Sequence, residues 1–251
     1  MSGAVMAVCG KGGVGKTSVC AVIASEILRR GRGRALVVDA DPAGGLGLSL
    51  DLAPKRSVNQ VRMELIREAA SGESDRFDLA GGFDYLLAEA LAERGNLAFL
   101  SVGRPQELGC YCSVNSLLRE AIEKLAAQFD TVLIDGEAGV EQINREVMRE
   151  AAYLLLVADP TVKALRVAES IDTVFRDTNS KSRTGLLLNR VADEKQAAEL
   201  EDRTRLWVVG WIPEDDTIRR YDAQNLSFFD LPGCPASRAI IDAVNKTGLL
   251  L

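Results

Sequence analysis

The octapeptide Gly10-Lys11-Gly12-Gly13-Val14-Gly15-Lys16-Thr17 constrains this chain more than any other stretch, because of what flanks it. An unbroken apolar run, Ala4–Cys9, precedes it, and a helical pattern over Lys16–Arg30 follows. A G-x-x-x-x-G-K-T turn between a strand and a helix curls its backbone so that successive N–H groups point at phosphate oxygens, with the positive helix end behind them. The competing reading is an accidental glycine-rich turn, and the intact motif in its required setting speaks against it. In the phosphate reading Gly12, Gly13, Val14 and Gly15 form the cradle for ATP or ADP. Lys16 reaches the β- and γ-phosphates, the Thr17 hydroxyl binds Mg²⁺, and Ser18 completes the nucleotide-binding set.

Strand and helix patterns keep alternating beyond the motif. Apolar runs at 34–39, 97–102, Thr131–Asp135, Tyr153–Ala158, 184–188 and 206–212 read as strands. Helix-length segments fall at 58–70, 83–94, 113–128, 141–149, 162–175, 194–204 and 215–223. Tyr153–Ala158 shows no polar alternation, as expected of a parallel strand covered on both faces. The expectation is an α/β P-loop NTPase with a mostly parallel central sheet of seven or eight strands and helices on both faces, residues 1–251 forming one domain. Residues 71–82, rich in Gly, Ser and Asp, read as a loop within it.

Composition limits the chemistry this sheet can host. The chain has no histidine, which removes any imidazole base and any histidine metal ligand. Acids outnumber bases by 36 to 30, which argues against a surface that neutralises many nucleic-acid phosphates. Five cysteines, an odd number with no basic segment ahead of the first apolar run, point to a reducing cytoplasm. No apolar segment reaches the ~18–20 residues of a membrane span, so no stable membrane insertion is expected.

Cys110-Tyr111-Cys112 is the metal candidate. Two thiols one residue apart can face one soft metal, and a helix N-terminus near Ser113 favours the thiolate form. A closed zinc site wants four ligands, and one C-x-C supplies two. Cys9, Cys20 and Cys234 lie in other contexts, and no histidine can complete the set. The economical solution pairs two copies of the chain across a two-fold axis, with Zn²⁺ or Ni²⁺ bridging the subunits. Two structural or redox-active cysteines remain the alternative.

Lys-Gly-Gly-Val-Gly-Lys-Thr, with Lys11 leading, resembles the deviant Walker A signature of the dimeric ATPases that include MinD, ParA and the nitrogenase iron protein. The resemblance implies that Lys11 crosses a dimer interface to the partner's phosphates. It gives Asp39 to the magnesium shell, Asp41 to positioning the attacking water, and Asp135, ending the strand Leu133-Ile134-Asp135, to the carboxylate near Mg²⁺. It makes residues 136–139 the switch that senses the γ-phosphate. Asn189 and Arg190, with Pro213 and Glu214, fall where these ATPases hold adenine, Asn189 on the base edge. Taken singly, the aspartates have an alternative reading as helix caps and the proline as a turn residue.

Gly109-Cys110-Tyr111-Cys112, then Asn115, Leu117-Leu118-Arg119 and Asp135-Gly136-Glu137-Ala138-Gly139-Val140-Glu141, resemble the CooC-like nickel-insertion ATPases that mature carbon monoxide dehydrogenase, whose relatives serve acetyl-CoA synthase. That resemblance runs from the phosphate loop to Pro213. It implies an ATP-dependent metallochaperone whose nucleotide-driven homodimer holds Ni²⁺ or Zn²⁺ at paired cysteines for a nickel enzyme client. Gly136 and Gln142 depart from the family pattern, which carries methionine and histidine there, so the client can differ in kind. Two other readings compete. One is a MinD- or ParA-like positioning ATPase acting on membrane or DNA, for which the basic run Arg29, Arg30, Arg32, Arg34 and a weak amphipathic tail over 239–251 are the local features. The other is an electron-transfer ATPase of the iron-protein kind, which would place its two cysteines far apart in sequence.

Overall fold

Strand β1 (Ala4–Cys9) is an inner strand, hydrogen-bonded in parallel to β5 (Thr131–Asp135) on one side and β6 (Tyr153–Ala158) on the other. The computed structural model describes residues 4–41, 44–71, 76–104, 122–136, 151–178 and 182–248. The other strands are β2 (Ala35–Asp39), β3 (Ala92–Arg94), β4 (Leu97–Ser101), β7 (Arg183–Val191) and β8 (Val208–Pro213). Eight strands in the order β3-β4-β2-β5-β1-β6-β7-β8 form one sheet, parallel except for β3. Every residue of β2 and β6 is buried, which explains why neither alternates apolar with polar.

Helices α1 (Lys16–Arg30), α2 (Gly45–Leu50), α3 (Val58–Ser71), α4 (Arg76–Glu89), α5 (Val162–Thr178), α6 (Glu194–Glu201), α7 (Asp216–Ala223) and α8 (Pro235–Thr247) surround the sheet. Helix α1 packs over β1 and β5 and against α8, which lies on β8. Arg29 and Arg30 both bond the buried Glu26 carboxylate, and Arg30 reaches Asn245 on α8 at 2.8 Å. Of the basic run, Arg30 therefore ties α1 to α8, while Arg29 pairs within α1.

Among the described residues, which leave out 105–121 and 137–150 and so most of two expected helices, the structure differs from the expected elements in four places. The helix expected through residue 94 ends at Glu89, and Ala92–Arg94 turns back antiparallel to β4. A two-residue turn at Gly95-Asn96 sets this hairpin, with Gly95 at φ +60°. The loop expected at 71–82 is largely α4, because packing against α3 overrides the weak helix propensity of its glycines. Helix α2 is hidden by its sequence, Gly-Leu-Gly-Leu-Ser-Leu. The tail expected at 239–251 belongs to α8 as far as Thr247. Pro235 opens that helix under a capping box of Cys234 and Ser237, and Ile240, Ala243 and Val244 are buried. The apolar face of that stretch is already used on the sheet. Among the described residues, no helix is long and apolar enough to cross a membrane.

Candidate functional site

The carboxyl ends of the parallel strands gather the sequence-expected residues at one edge of the sheet, where open α/β sheets bind ligands. The phosphate loop leaves β1 there and enters α1 through Gly15, whose φ of +95° puts it in the left-handed region. A β-carbon on Gly15 would also collide with the Asn189 amide nitrogen. Lys16 is 6% exposed, and its ammonium donates to the Lys11 carbonyl at 3.3 Å. Ser18 lies half-buried in the first turn of α1.

Asp39 and Asp135 are register neighbours at the ends of β2 and β5, and both are fully buried. The Thr17 hydroxyl donates to Asp135 Oδ2 at 2.8 Å, while Asp135 Oδ1 has no hydrogen-bond partner. Burial pushes the Asp135 carboxyl up to about 7, with Asp39 adding to the rise and Thr17 opposing it. Asp39 rises to about 6, again by burial, although it accepts from the Asp41 amide at 3.2 Å and the Leu46 amide at 3.0 Å. Through Leu46, Asp39 also anchors α2. A hard divalent cation suits this donor set of two carboxylates and a hydroxyl, and the unpartnered Oδ1 supplies a buried oxygen for it. Asp41 follows directly, half-buried, its carbonyl accepting from Gly44 at 2.9 Å.

Lys11 lies over the edge of the sheet with its ammonium 3.9 Å from Asp159 Oδ2. Asp159 also accepts from Thr161. Sequence reasoning passed over Asp159, and its signal was the same as for Asp39 and Asp135, an aspartate where an apolar strand stops.

At the other end of the site, β7 and β8 bring Asn189, Arg190 and Pro213 together. The Asn189 amide, expected on the base edge, engages the phosphate loop. Its nitrogen donates to the Val14 carbonyl at 2.7 Å, and its oxygen accepts from the Arg190 amide at 3.0 Å. The Arg190 guanidinium donates to the Gly13 carbonyl at 3.1 Å. Glu214 is exposed and pairs with Arg219 at 3.5 Å. Asp215 caps α7, accepting from Thr217 and Ile218, and its second oxygen accepts from Ala236 at the start of α8.

Cys110 and Cys112 lie outside the described residues, as do 137–139 of the switch, while the Gly136 amide donates to the Val8 carbonyl at 2.9 Å. The other three thiols, Cys9, Cys20 and Cys234, are free and buried. Burial pushes Cys9 up to about 12 and Cys20 well above its ordinary value, with the Asp135 charge beside it adding to the rise. Cys234 is a buried helix cap. Among the described residues no group of three or more acidic or cysteine side chains is placed to hold a metal ion.

The fold recurs in known proteins. The family model described as CobQ/CobB/MinD/ParA nucleotide binding domain matches residues 5–228. The chain belongs to that family. Nucleotide binding and ATP hydrolysis come with it, and the buried lysine, hydroxyl and carboxylates of the site are the groups such chemistry needs. An ATP-binding protein of Methanocaldococcus jannaschii is 31% identical over 239 residues, covering 91% of each chain. The carbon monoxide dehydrogenase accessory protein CooC of Rhodospirillum rubrum is 27% identical over 241 residues, again 91% of each. In fold, a ParA family ATPase from Chlorobium tepidum superposes with a TM-score of 0.73 at 20% identity, covering 97% of this chain and 98% of that one.

Proposed function

We propose that this protein is an ATP-dependent metallochaperone, a single nucleotide-driven module over residues 1–251 that works as a homodimer. Its cargo is Ni²⁺ or Zn²⁺, held between two copies by Cys110 and Cys112 of each, and its client is a nickel enzyme such as carbon monoxide dehydrogenase. One observation carries this reading. The chain that runs on to Cys110 leaves β4 at the nucleotide edge, where the Val102 amide donates to the Asp39 carbonyl at 2.8 Å. Asp39 is thus joined by one backbone hydrogen bond to the chain eight residues ahead of Cys110. The 27% identity to CooC over most of both chains supports the same reading.

In this mechanism Thr17, Asp39 and Asp135 hold Mg²⁺, which when bound neutralises charge building on the phosphates. Lys16 holds the β- and γ-phosphate oxygens, aided by the amides of Gly12, Gly13, Val14 and Gly15. Asp41 orients the attacking water. Lys11 exchanges Asp159 for the partner's nucleotide, a charge supplied in trans. Arg190, Pro213 and Glu214 border the base. Because nucleotide and cargo favour the same dimer, each tightens the other's binding by an equal factor.

Metal content and mass in solution test this, measured without nucleotide, with ADP and with a non-hydrolysable ATP analogue, for wild type and Cys112→Ser. The expected result is a metal-bridged dimer tightened by the ATP analogue, with metal lost and nucleotide binding retained in Cys112→Ser. Metal that is unaffected by the substitution overturns the interfacial site. A positioning ATPase would instead be retained on liposomes or DNA at physiological salt, with no dependence on the cysteines.

A further inference from the structure

Asn189 and Arg190 sit where β7 slips its register against β8, and Arg190 takes a φ of +61°, uncommon for a residue with a side chain. The kink points both side chains at the phosphate loop. Asn189 is nearly buried and bonds the Val14 carbonyl; Arg190 bonds the carbonyl of the preceding residue, Gly13. A trans peptide is planar, with its C=O and N–H pointing in opposite directions. Pinning the Gly13 carbonyl therefore turns the Val14 N–H the other way, and pinning Val14 does the same for Gly15. Those two N–H groups belong to the cradle that faces phosphate.

We propose that Asn189 and Arg190 are a brace that pre-sets the phosphate loop, so that Asn189 is a positioning residue for polyphosphate binding. Holding the loop in its binding conformation before the ligand arrives removes an ordering cost from every polyphosphate, with or without a base. The absence of a side chain on Gly15 is what lets the amide approach. This inference rests on the nucleotide-site reading and is independent of the cysteine pair.

Calorimetric titration of the full chain with Mg²⁺-tripolyphosphate, which lacks a base, and with Mg²⁺-ATP separates the two roles. Asn189→Asp keeps the shape and the acceptor for the Arg190 amide, but sets an oxygen against the Val14 carbonyl. Affinity for tripolyphosphate and for ATP should fall together, by about tenfold. Arg190→Gly removes the guanidinium while relieving the positive φ. It should weaken tripolyphosphate about two- to fivefold while the ligand-free melting temperature holds or rises. A merely structural role would not lower affinity in a variant that melts no earlier. Unchanged tripolyphosphate affinity in both variants overturns the brace, and a loss confined to ATP makes Asn189 a reader of the base. Should Asn189→Asp fail to fold, Arg190→Gly decides alone. A wild type that binds neither probe removes the nucleotide site itself, and the brace with it.

Discussion

Two aspartates at the carboxyl edge of the same sheet show how differently its two ends are built. Asp135, on the last position of β5, is 1% exposed, leaves Oδ1 without a partner and has its carboxyl pushed up to about 7 by burial. Asp215, two residues beyond β8, spends both oxygens on backbone amides of α7 and α8. Burial pulls Asp215 upward too, yet those amides outweigh it and hold the carboxyl below its usual range. At the phosphate end a buried carboxylate oxygen has no partner, whereas at the β8 end both Asp215 oxygens are bonded within the chain. Buried polar groups lacking partners are costly, and at Asp135 a bound cation would supply the partner.

The largest expected effect breaks this contrast at the phosphate end. Asp135→Asn removes a buried charge but keeps the shape, so the ligand-free protein should melt higher than wild type. Mg²⁺-dependent ATP hydrolysis should nevertheless fall about 100-fold or more, because the carboxylate that balances the cation is gone. Calorimetric melting and steady-state phosphate release measure the two halves. A fall in melting temperature alongside the loss of activity would make Asp135 a structural residue like Asp215.

At the β8 end the signs reverse. Asp215→Ala should destabilise the fold by about 1–2 kcal/mol at neutral pH through lost capping, and hydrolysis should change little. The folded carboxyl lies below its unfolded value, so its contribution is present above the unfolded pKa of about 3.9 and disappears as pH falls through the folded one. The stability gap between variant and wild type, read from denaturant curves, should therefore narrow in acid. A gap that stays constant down to strong acid would mean that packing, not the capping charge, is what the substitution removes.

The phosphate end is legible in the sequence because each of its residues sits at a fixed offset from a strand or motif. Gly12 to Thr17 follow β1, while Asp39 and Asp135 terminate apolar runs. The β7–β8 end is less legible, since its bonds join residues remote in sequence. No spacing announces that Asn189 reaches Val14, or that Asp215 serves a helix starting at Pro235. Elements held by such contacts are also the hidden ones. Helix α2 is half glycine or serine and is anchored by Asp39, and α8 needs the buried face under Ile240 to separate it from a tail. Asp159 carries the same signal as Asp39 and Asp135, an aspartate after an apolar strand, but its link to Lys11 shows only in the fold.

Lys11 is the exception at the phosphate end, since its charge meets Asp159 within the chain at 3.9 Å, with the two side chains 33% and 19% exposed. A pair that long and that open to solvent contributes under ~1 kcal/mol, so Asp159→Asn should barely move the melting temperature. The ligand-free monomer should bind nucleotide as before, because Lys16 holds the phosphates in cis. If Lys11 acts in trans, releasing it from Asp159 removes a competing contact, and self-association with an ATP analogue should shift to about two- to fivefold lower protein concentration. Sedimentation velocity across a dilution series reads that shift. Weaker association in Asp159→Asn would instead place Asp159 in the contact between copies, and the cis pair would then be a bystander.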